Sequence, residues 1–317
     1  MFYLIRSKND RKKFSIGAMH NRTSHKYLNV SAIIPVYNDQ TGIDTCLAAL
    51  AAQTYPKDHY EVVVVDNASS PPIKIGPQFS GFARLVVCHT PGSYAARNAG
   101  IAEAQEGAIL AFIDADCVPD RDWIKSGVEA FDREGEHTII GGEVAMLLPK
   151  HPTAVEQYQL LDDSIQRANI EYRGFAATAN LFAAKAQIKE IGLFNESLLS
   201  GGDLEWSWRA AKAGFSIKYA PEVVVCTAPR KSLVLAVRQA RRVAGGRYAL
   251  RHMLTSHIGL AVIKPHRSAS AAAKFILSHP NLTPMNRIRV FFVATIIKVA
   301  QLMETVKLTI WKNPERR

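Results

Sequence analysis

The chain has 317 residues, 48% of them hydrophobic, with a formal net charge of +11. That length suits one large domain with an extension, and the apolar content excludes a disordered chain. The charge fits anionic phosphates, anionic membrane surfaces or nucleic acid without choosing among them. Cys46, Cys88, Cys117 and Cys226 lie far apart with no Cys-x-x-Cys pair, which argues against a zinc site or disulfide framework and fits a reducing compartment.

Residues 1–29 read as a basic, solvated arm. Arg6, Lys8, Arg11, Lys12 and Lys13 are followed by no apolar run, so the segment is a poor secretory signal. From Val30 the chain alternates. Ser31 to Val36 reads as an apolar strand, Thr41 to Gln53 as a helix, Glu61 to Val65 as a buried β-branched strand and Leu85 to Cys88 as another. Tyr94 to Ala104 is helical and rich in small residues, and Ala108 to Ile113 is a further buried strand. Alternation of this kind predicts βαβ units, a mainly parallel sheet with helices on both faces, and strand ends gathered on one edge.

Thr138 to Leu148 reads as a strand in which Gly141-Gly142 allows a close backbone approach. Thr153 to Gln166 is helix-like, and a second block begins around Thr178-Ala179-Asn180. A helix over Gly202 to Gly214 closes on a glycine suited to a C-cap. Phe215 to Tyr219 and Glu222 to Val225 are strand candidates, and the chain is helical from Pro229. Ser268 to Ala273 is either a linker or a helix start. No segment is a clean membrane span: the best apolar stretch, Val290 to Ile297, stops at Lys298. Arg287 to Trp311 is an amphipathic helix instead. Lys298, Gln301, Thr305 and Lys312 mark its polar side, and Phe291, Phe292, Ile296, Val299, Leu302, Met303, Val306 and Ile310 its apolar side. That apolar side docks on the protein's own core or on an anionic membrane surface.

Four polar features follow strands: Pro35-Val36-Tyr37-Asn38-Asp39, Asp66-Asn67, Arg97-Asn98 and Asp114-Ala115-Asp116. A nucleotide needs a flat surface for its base, an acceptor for its ribose hydroxyls and a cation for its phosphates. Tyr37, Asp66 and Asp116 supply these in turn, since hard cations favour carboxylate oxygens. Singly, each has a plainer reading: a turn former at Asp66-Asn67, a core tyrosine, a helix cap at Asp114. Their joint order at strand ends is what points to a nucleotide site.

This set resembles the family 2 glycosyltransferases, whose fold is GT-A. The matching stretches are PVYND (35–39), VVVDN (63–67), YAARNAGI (94–101), FIDADCVPD (112–120), TANLF (178–182) and GLFNESLLSGGDLEWSWRAAKAGF (192–215), spanning roughly Ser31 to Leu233. The resemblance implies an α/β GT-A domain over 30–228, with a nucleotide-binding half (30–120) and an acceptor half (121–228). The helical, basic and amphipathic remainder, 229–317, is an extension. It implies that Pro35, Tyr37, Asp39, Asp66, Arg97 and Asp114 bind the nucleotide sugar, and that Asp114 and Asp116 hold Mn2+ or Mg2+. It makes Asp203 the general base of an inverting transfer, with Asn180, Glu205, Trp206 and Arg209 on the acceptor side. Asp203 and Glu205 also suit a helix N-terminus, and both readings stand together.

Two positions depart from the family pattern. Gly202 stands where an acid is usual before Asp203, and Thr227 stands where a metal-binding histidine is usual. These departures support an alternative, a non-catalytic nucleotide-sugar-binding descendant of a transferase. The implied partners are a nucleoside diphosphate sugar and a glycan or lipid-linked acceptor. The implied setting is cytoplasmic polysaccharide or glycolipid synthesis, with peripheral contact at the inner membrane face. Arg230, Lys231, Arg238, Arg241, Arg242, Arg247 and Arg251 form a cationic run suited to lipid-linked phosphates or to plain solvation. Gln239-Ala240-Arg241-Arg242 lacks the following tryptophan of processive synthases. No Gly-x-Gly-x-x-Gly follows the first strand, which excludes a dinucleotide-dependent dehydrogenase. No nucleic-acid-binding module is recognisable, and the phosphate loop of a nucleotidyltransferase is missing.

Overall fold

A computed structural model describes residues 27–161, 165–254 and 269–311. The basic arm up to residue 26, and Lys312, lie outside the described residues. The elements run β1 (Val30–Val36), α1 (Gln40–Ala51), β2 (Tyr60–Asp66), β3 (Ala83–Val87), α2 (Ser93–Glu103), β4 (Ile109–Ile113), β5 (Cys117–Pro119) and α3 (Trp123–Glu134). Then follow β6 (Thr138–Met146), α4 (Ala154–Gln159), α5 (Ile165–Arg173), β7 (Asn180–Ala184), α6 (Lys185–Ile191), α7 (Gly202–Lys212), β8 (Ser216–Thr227), α8 (Leu233–Leu254), α9 (Ala269–Leu277) and α10 (Pro284–Trp311).

The strands form one sheet in the order β3-β2-β1-β4-β7-β6-β8-β5. In the first half, β1 pairs in parallel with β2 and β4, and β2 with β3. The second half is mixed: β7 runs antiparallel to β4 and β6, β8 is parallel to β6, and β5 is antiparallel to β8. Strand order reverses at β1/β4, so the segments after β1, β2 and β4 leave the sheet on one edge around a crevice.

Both faces are covered, which is why the parallel strands read as unbroken apolar runs. Ala32, Ile34 and Val36 pack with Ile43, Leu47 and Leu50 of α1 and with Trp123 and Ile124 of α3. On the other face Ile33 and Phe112 pack with Tyr94 of α2 and Trp206 of α7. Small residues in α2 let it ride close to the sheet: a Cβ at Gly100 would lie 2.6 Å from Ile33 Cγ2.

The expected close approach at Gly141-Gly142 is present. A Cβ on Gly142 would lie 2.3 Å from the Val223 carbonyl oxygen, where β6 and β8 shift register. The two strand candidates at 215–225 are a single strand, β8. Its residues 221–223 bulge between the Ala220–Gly142 and Val224–Glu143 pairs, a site where Pro221 needs no ladder N–H. The 268–273 string is the start of α9. Among the described residues no helix is long and apolar enough to cross a membrane.

Asn180, expected on the acceptor side, opens β7 and rivets this layer from within. It is fully buried, donates through Nδ2 to the carbonyls of Glu143 (2.7 Å) and Val223 (2.8 Å), and accepts from Trp123 Nε1 (2.9 Å). Asn180→Ala strips three buried polar groups of partners. It is expected to lower unfolding stability by about 3 kcal/mol or more in urea titration, without selective loss of acceptor affinity.

Candidate active site

The crevice at the β1/β4 switch deepens into a cavity of about 770 Å3. One wall is the post-β1 segment, Pro35 to Asp39; the next is Asn67-Ala68 after β2; a third is Asp114 to Asp116 after β4. The N-terminal turn of α2, from Gly92 to Arg97, faces them, together with Ala177 to Ala179 and Asp203 at the start of α7. α8 closes the opening with Leu235, Arg238, Gln239 and Arg242, and Arg230 precedes it.

At the floor sits a cluster of one cation and two carboxylates. The Arg97 side chain is 5% exposed and its Nη2 donates to Asp114 Oδ1 at 2.5 Å. Its guanidinium carbon lies 5.6 Å over the Tyr94 ring. The Arg97 Nε–H has no hydrogen-bond partner among the described residues. Asp203 Oδ1 accepts from the Thr178 hydroxyl at 2.8 Å, and the Asp203 amide donates to the Tyr94 hydroxyl at 3.3 Å. Burial raises the pKa of Asp203 above its ordinary value, Arg97 and the Thr178 hydroxyl pull it down, and Asp114 pushes it up. The N-terminus of α7 adds partial positive charge at this carboxylate. Burial, and then Asp203, raise the Tyr94 phenol.

The loops are held by their own polar residues. Asn67 donates to the carbonyls of Cys88 (3.1 Å) and Thr90 (2.7 Å) and accepts from the Gly92 amide (2.8 Å), tying β2 to the start of α2. Asn38 and Ala68 both have positive φ, 54° and 60°, and both line the cavity. Such conformations are uncommon outside glycine and concentrate at functional sites. Asn98 in α2 exchanges hydrogen bonds with the Phe194 backbone and reaches Glu196, which fixes the approach to α7.

Of the residues singled out in the sequence, Pro35, Tyr37, Asp39, Arg97, Asp114, Asp116 and Asp203 meet at this cavity. Five others do not. Asp66 is 2% exposed, with both carboxylate oxygens taken by the amides of Ser69 (2.9 Å) and Ile73 (3.1 Å); it shapes the loop carrying Ala68. Asn180 is the buried rivet described above. Trp206 is fully buried against Phe194 and donates to the Gly192 carbonyl at 2.9 Å. Glu205 pairs with Arg209, whose guanidinium donates to the carbonyls of Ile191 and Leu193 and so caps the end of α6. Asp39 has a second role, accepting from Gly42 N–H at the start of α1.

Thr178 and Tyr94 lie within the motifs but carry no role in the sequence reading, and the α8 arginines figure there only as one undivided cationic run. Thr178 lies in a turn two residues before the buried Asn180, and no periodicity separates their roles. The cationic run divides in three dimensions. Arg238 and Arg242 face the cavity, while Arg241 faces a groove between α8 and α10.

Asp114 and Asp116 give two hard oxygen donors on one wall, and Asp116 is exposed. Among the described residues no group of three or more His, Cys, Asp and Glu converges on a metal position. A pair of carboxylates fits an ion whose other ligands are substrate phosphates and water. Thr227 stands beside this pair, its hydroxyl donating to the Asp116 carbonyl at 3.3 Å.

Residues 31–146 match the family model Glycosyl transferase family 2, and residues 109–303 match Glycosyl transferase family group 2. The chain is 42% identical over 217 residues to the glycosyltransferase AglE of Haloferax volcanii, covering 67% of this chain and 71% of that protein. The chain belongs to glycosyltransferase family 2. It is also 26% identical over 220 residues to the pre-mycofactocin glycosyltransferase of Mycobacterium tuberculosis, covering 66% of this chain but only 44% of that protein. A mannosyltransferase from Pyrobaculum calidifontis, solved with GDP-Man and Mn2+, matches 91% of this chain and 89% of its own at a TM-score of 0.57 and 19% identity. That likeness establishes the GT-A fold.

Gly202 sits where the packing leaves no room for a side chain. A Cβ there would lie 2.6 Å from the buried Tyr94 ring. Gly202→Ala is expected to shift Tyr94 and with it the Asp203 amide. Glycosyl transfer should fall at least about tenfold with the chain still folded, as read by activity beside circular dichroism melting.

Proposed function

We propose that this family 2 glycosyltransferase moves a sugar from a nucleoside diphosphate sugar to an acceptor hydroxyl with inversion, in polysaccharide or glycolipid synthesis. The observation that carries the reading is a shared cavity with Asp114 and Asp116 on one wall and Asp203 on another. Tyr37 and the post-β2 loop border the space suited to the nucleoside, and the first turn of α2, beginning at Ser93, presents the positive end of a helix to an anion. The unpartnered Nε–H of Arg97 also suits an anionic ligand, because a buried donor left unpaired costs about 1–3 kcal/mol. The Pyrobaculum enzyme's GDP-Man and Mn2+ belong to the same ligand classes.

In this reading Asp203 takes the proton of the acceptor hydroxyl. The acceptor oxygen then bonds to the anomeric carbon from the face opposite the diphosphate, which leaves with the bonding electron pair. Thr178 orients the Asp203 carboxylate, and Arg97 draws its raised pKa back down, which favours the ionised form a base needs. Asp116 and Asp114 would hold Mn2+ or Mg2+, which when bound offsets the negative charge of the leaving diphosphate.

Asp203→Asn is expected to lower transfer by at least about a thousandfold while leaving the melting shift induced by nucleoside diphosphate sugar and Mn2+ nearly intact. Asp116→Ala is expected to lose that Mn2+-dependent shift. Near-normal transfer by Asp203→Asn would end the assignment of the base.

The pH profile gives a separate check. Asp203 must be ionised to accept a proton, and its folded pKa is raised, so activity should fall on acidification at a pH above the ordinary aspartate range. Arg97 lowers that pKa, so Arg97→Gln should move the acidic limb of kcat to higher pH. An unmoved limb would mean another group titrates.

A further inference from the structure

α10 buries one face and exposes another that is equally apolar. Val290, Val293, Ile297 and Leu308 point inward against the rest of the chain. Most of the side expected from sequence as the apolar face points outward: Phe292 is 61% exposed, Ile296 44%, Val299 49%, Leu302 65%, Met303 60% and Ile310 66%. These residues recur three and four apart over a helix of 28 residues, about 42 Å long. Exposed apolar stripes on this scale mark an interaction surface.

The charges around the stripe select its partner. Arg289, Lys298 and Lys307 are the exposed charged side chains of α10, and its one acid, Glu304, is 3% exposed. Angular position on the helix puts Arg289 and Lys307 along one border of the stripe and Lys298 along the other. A second copy laid antiparallel on this face would bring like charges together. The arm before residue 26 is itself basic, with Arg6, Lys8, Arg11, Lys12 and Lys13, and would meet the same repulsion. An apolar strip bordered by long cationic side chains suits a bilayer with anionic headgroups, where the stems lie along the acyl boundary and the charges meet phosphates.

The neighbouring helix continues the surface. Val237 and Arg241 of α8 form a groove with Ile296, Val299 and Met303 of α10, and Val234, one turn before Val237, is 68% exposed. The adjoining side of α8 carries Leu235, Arg238 and Arg242 into the catalytic cavity. We propose that α10, together with the first turns of α8, lies in the plane of an anionic bilayer as a peripheral docking surface and sets the cavity mouth beside the lipid. The inference goes beyond the transfer reaction and stands on different residues.

The test is co-sedimentation of the full chain with phosphatidylcholine vesicles, with and without phosphatidylglycerol, beside size-exclusion chromatography. The chain is expected to bind vesicles containing phosphatidylglycerol, more weakly as salt rises. Phe292→Glu with Leu302→Glu, both exposed, should reduce binding about tenfold or more with unchanged melting, and Arg289→Glu should lower it in the same direction. No binding to either vesicle overturns the proposal. So does a stable dimer that the Phe292→Glu/Leu302→Glu variant dissociates, which would assign the stripe to a second copy. Binding that appears only after residues 1–26 are removed would assign it to that arm. The donor-induced melting shift, measured without vesicles, tests the transfer reading separately.

Discussion

One buried cation organises the catalytic region. Arg97 is sealed between α2 and the sheet edge, bonded to Asp114 and set over the Tyr94 ring. The Asp114 side chain keeps 36% of its surface exposed, so solvent screens the pair from that side while the sealed Arg97 depends on it for a counter-charge. The consequences spread from there. Arg97 holds Asp114 on the wall that carries Asp116, and it opposes the rise in Asp203 pKa that burial causes. Tyr94, held beneath it, accepts the Asp203 amide and leaves no room for a side chain at residue 202. The Tyr94 ring therefore limits residue 202 to glycine while Asp203 keeps its place beside Thr178.

Sheet topology brings these groups together. The strand order reverses at β1/β4, so loops far apart in sequence leave the same edge, and β7, antiparallel to β4, places Thr178 at the same end. α8 then crosses in front and supplies basic side chains to the opening. The helical extension is thus a wall of the cavity on one side and part of an apolar surface on another. Any constraint that orients α8 also orients the mouth of the site.

The surroundings of Asp116, proposed above to hold an ion, follow similar logic. β5 pairs with β8 such that Cys117 faces Thr227, which brings the end of β8 next to Asp116. A hydroxyl there is a weaker ligand than an imidazole for a first-row metal. With two carboxylates available, the substrate diphosphate would carry a larger share of the coordination, and the affinities for ion and donor would be coupled.

Sequence alone determined the strand–helix alternation, the close approach at Gly141-Gly142, and the polar groups that follow β1, β2 and β4. These are legible because buried strands require apolar runs and ligand-bearing loops must break them. The family motifs then led to Asp203. Tertiary structure decided which motif polar residues face the cavity and which are structural. Asp66, Asn180 and Arg209 sit within motifs, yet each is consumed by backbone groups, Asp66 by its own loop and the other two by segments distant in sequence or in another element. Composition shows that a residue can hydrogen-bond but not with whom. The same limit hid the division of the α8 arginines and the direction of α10. An amphipathic helix announces its apolar stripe in one dimension, but α10 carries apolar side chains almost all around, and only packing against α8 and α4 chose the face to bury.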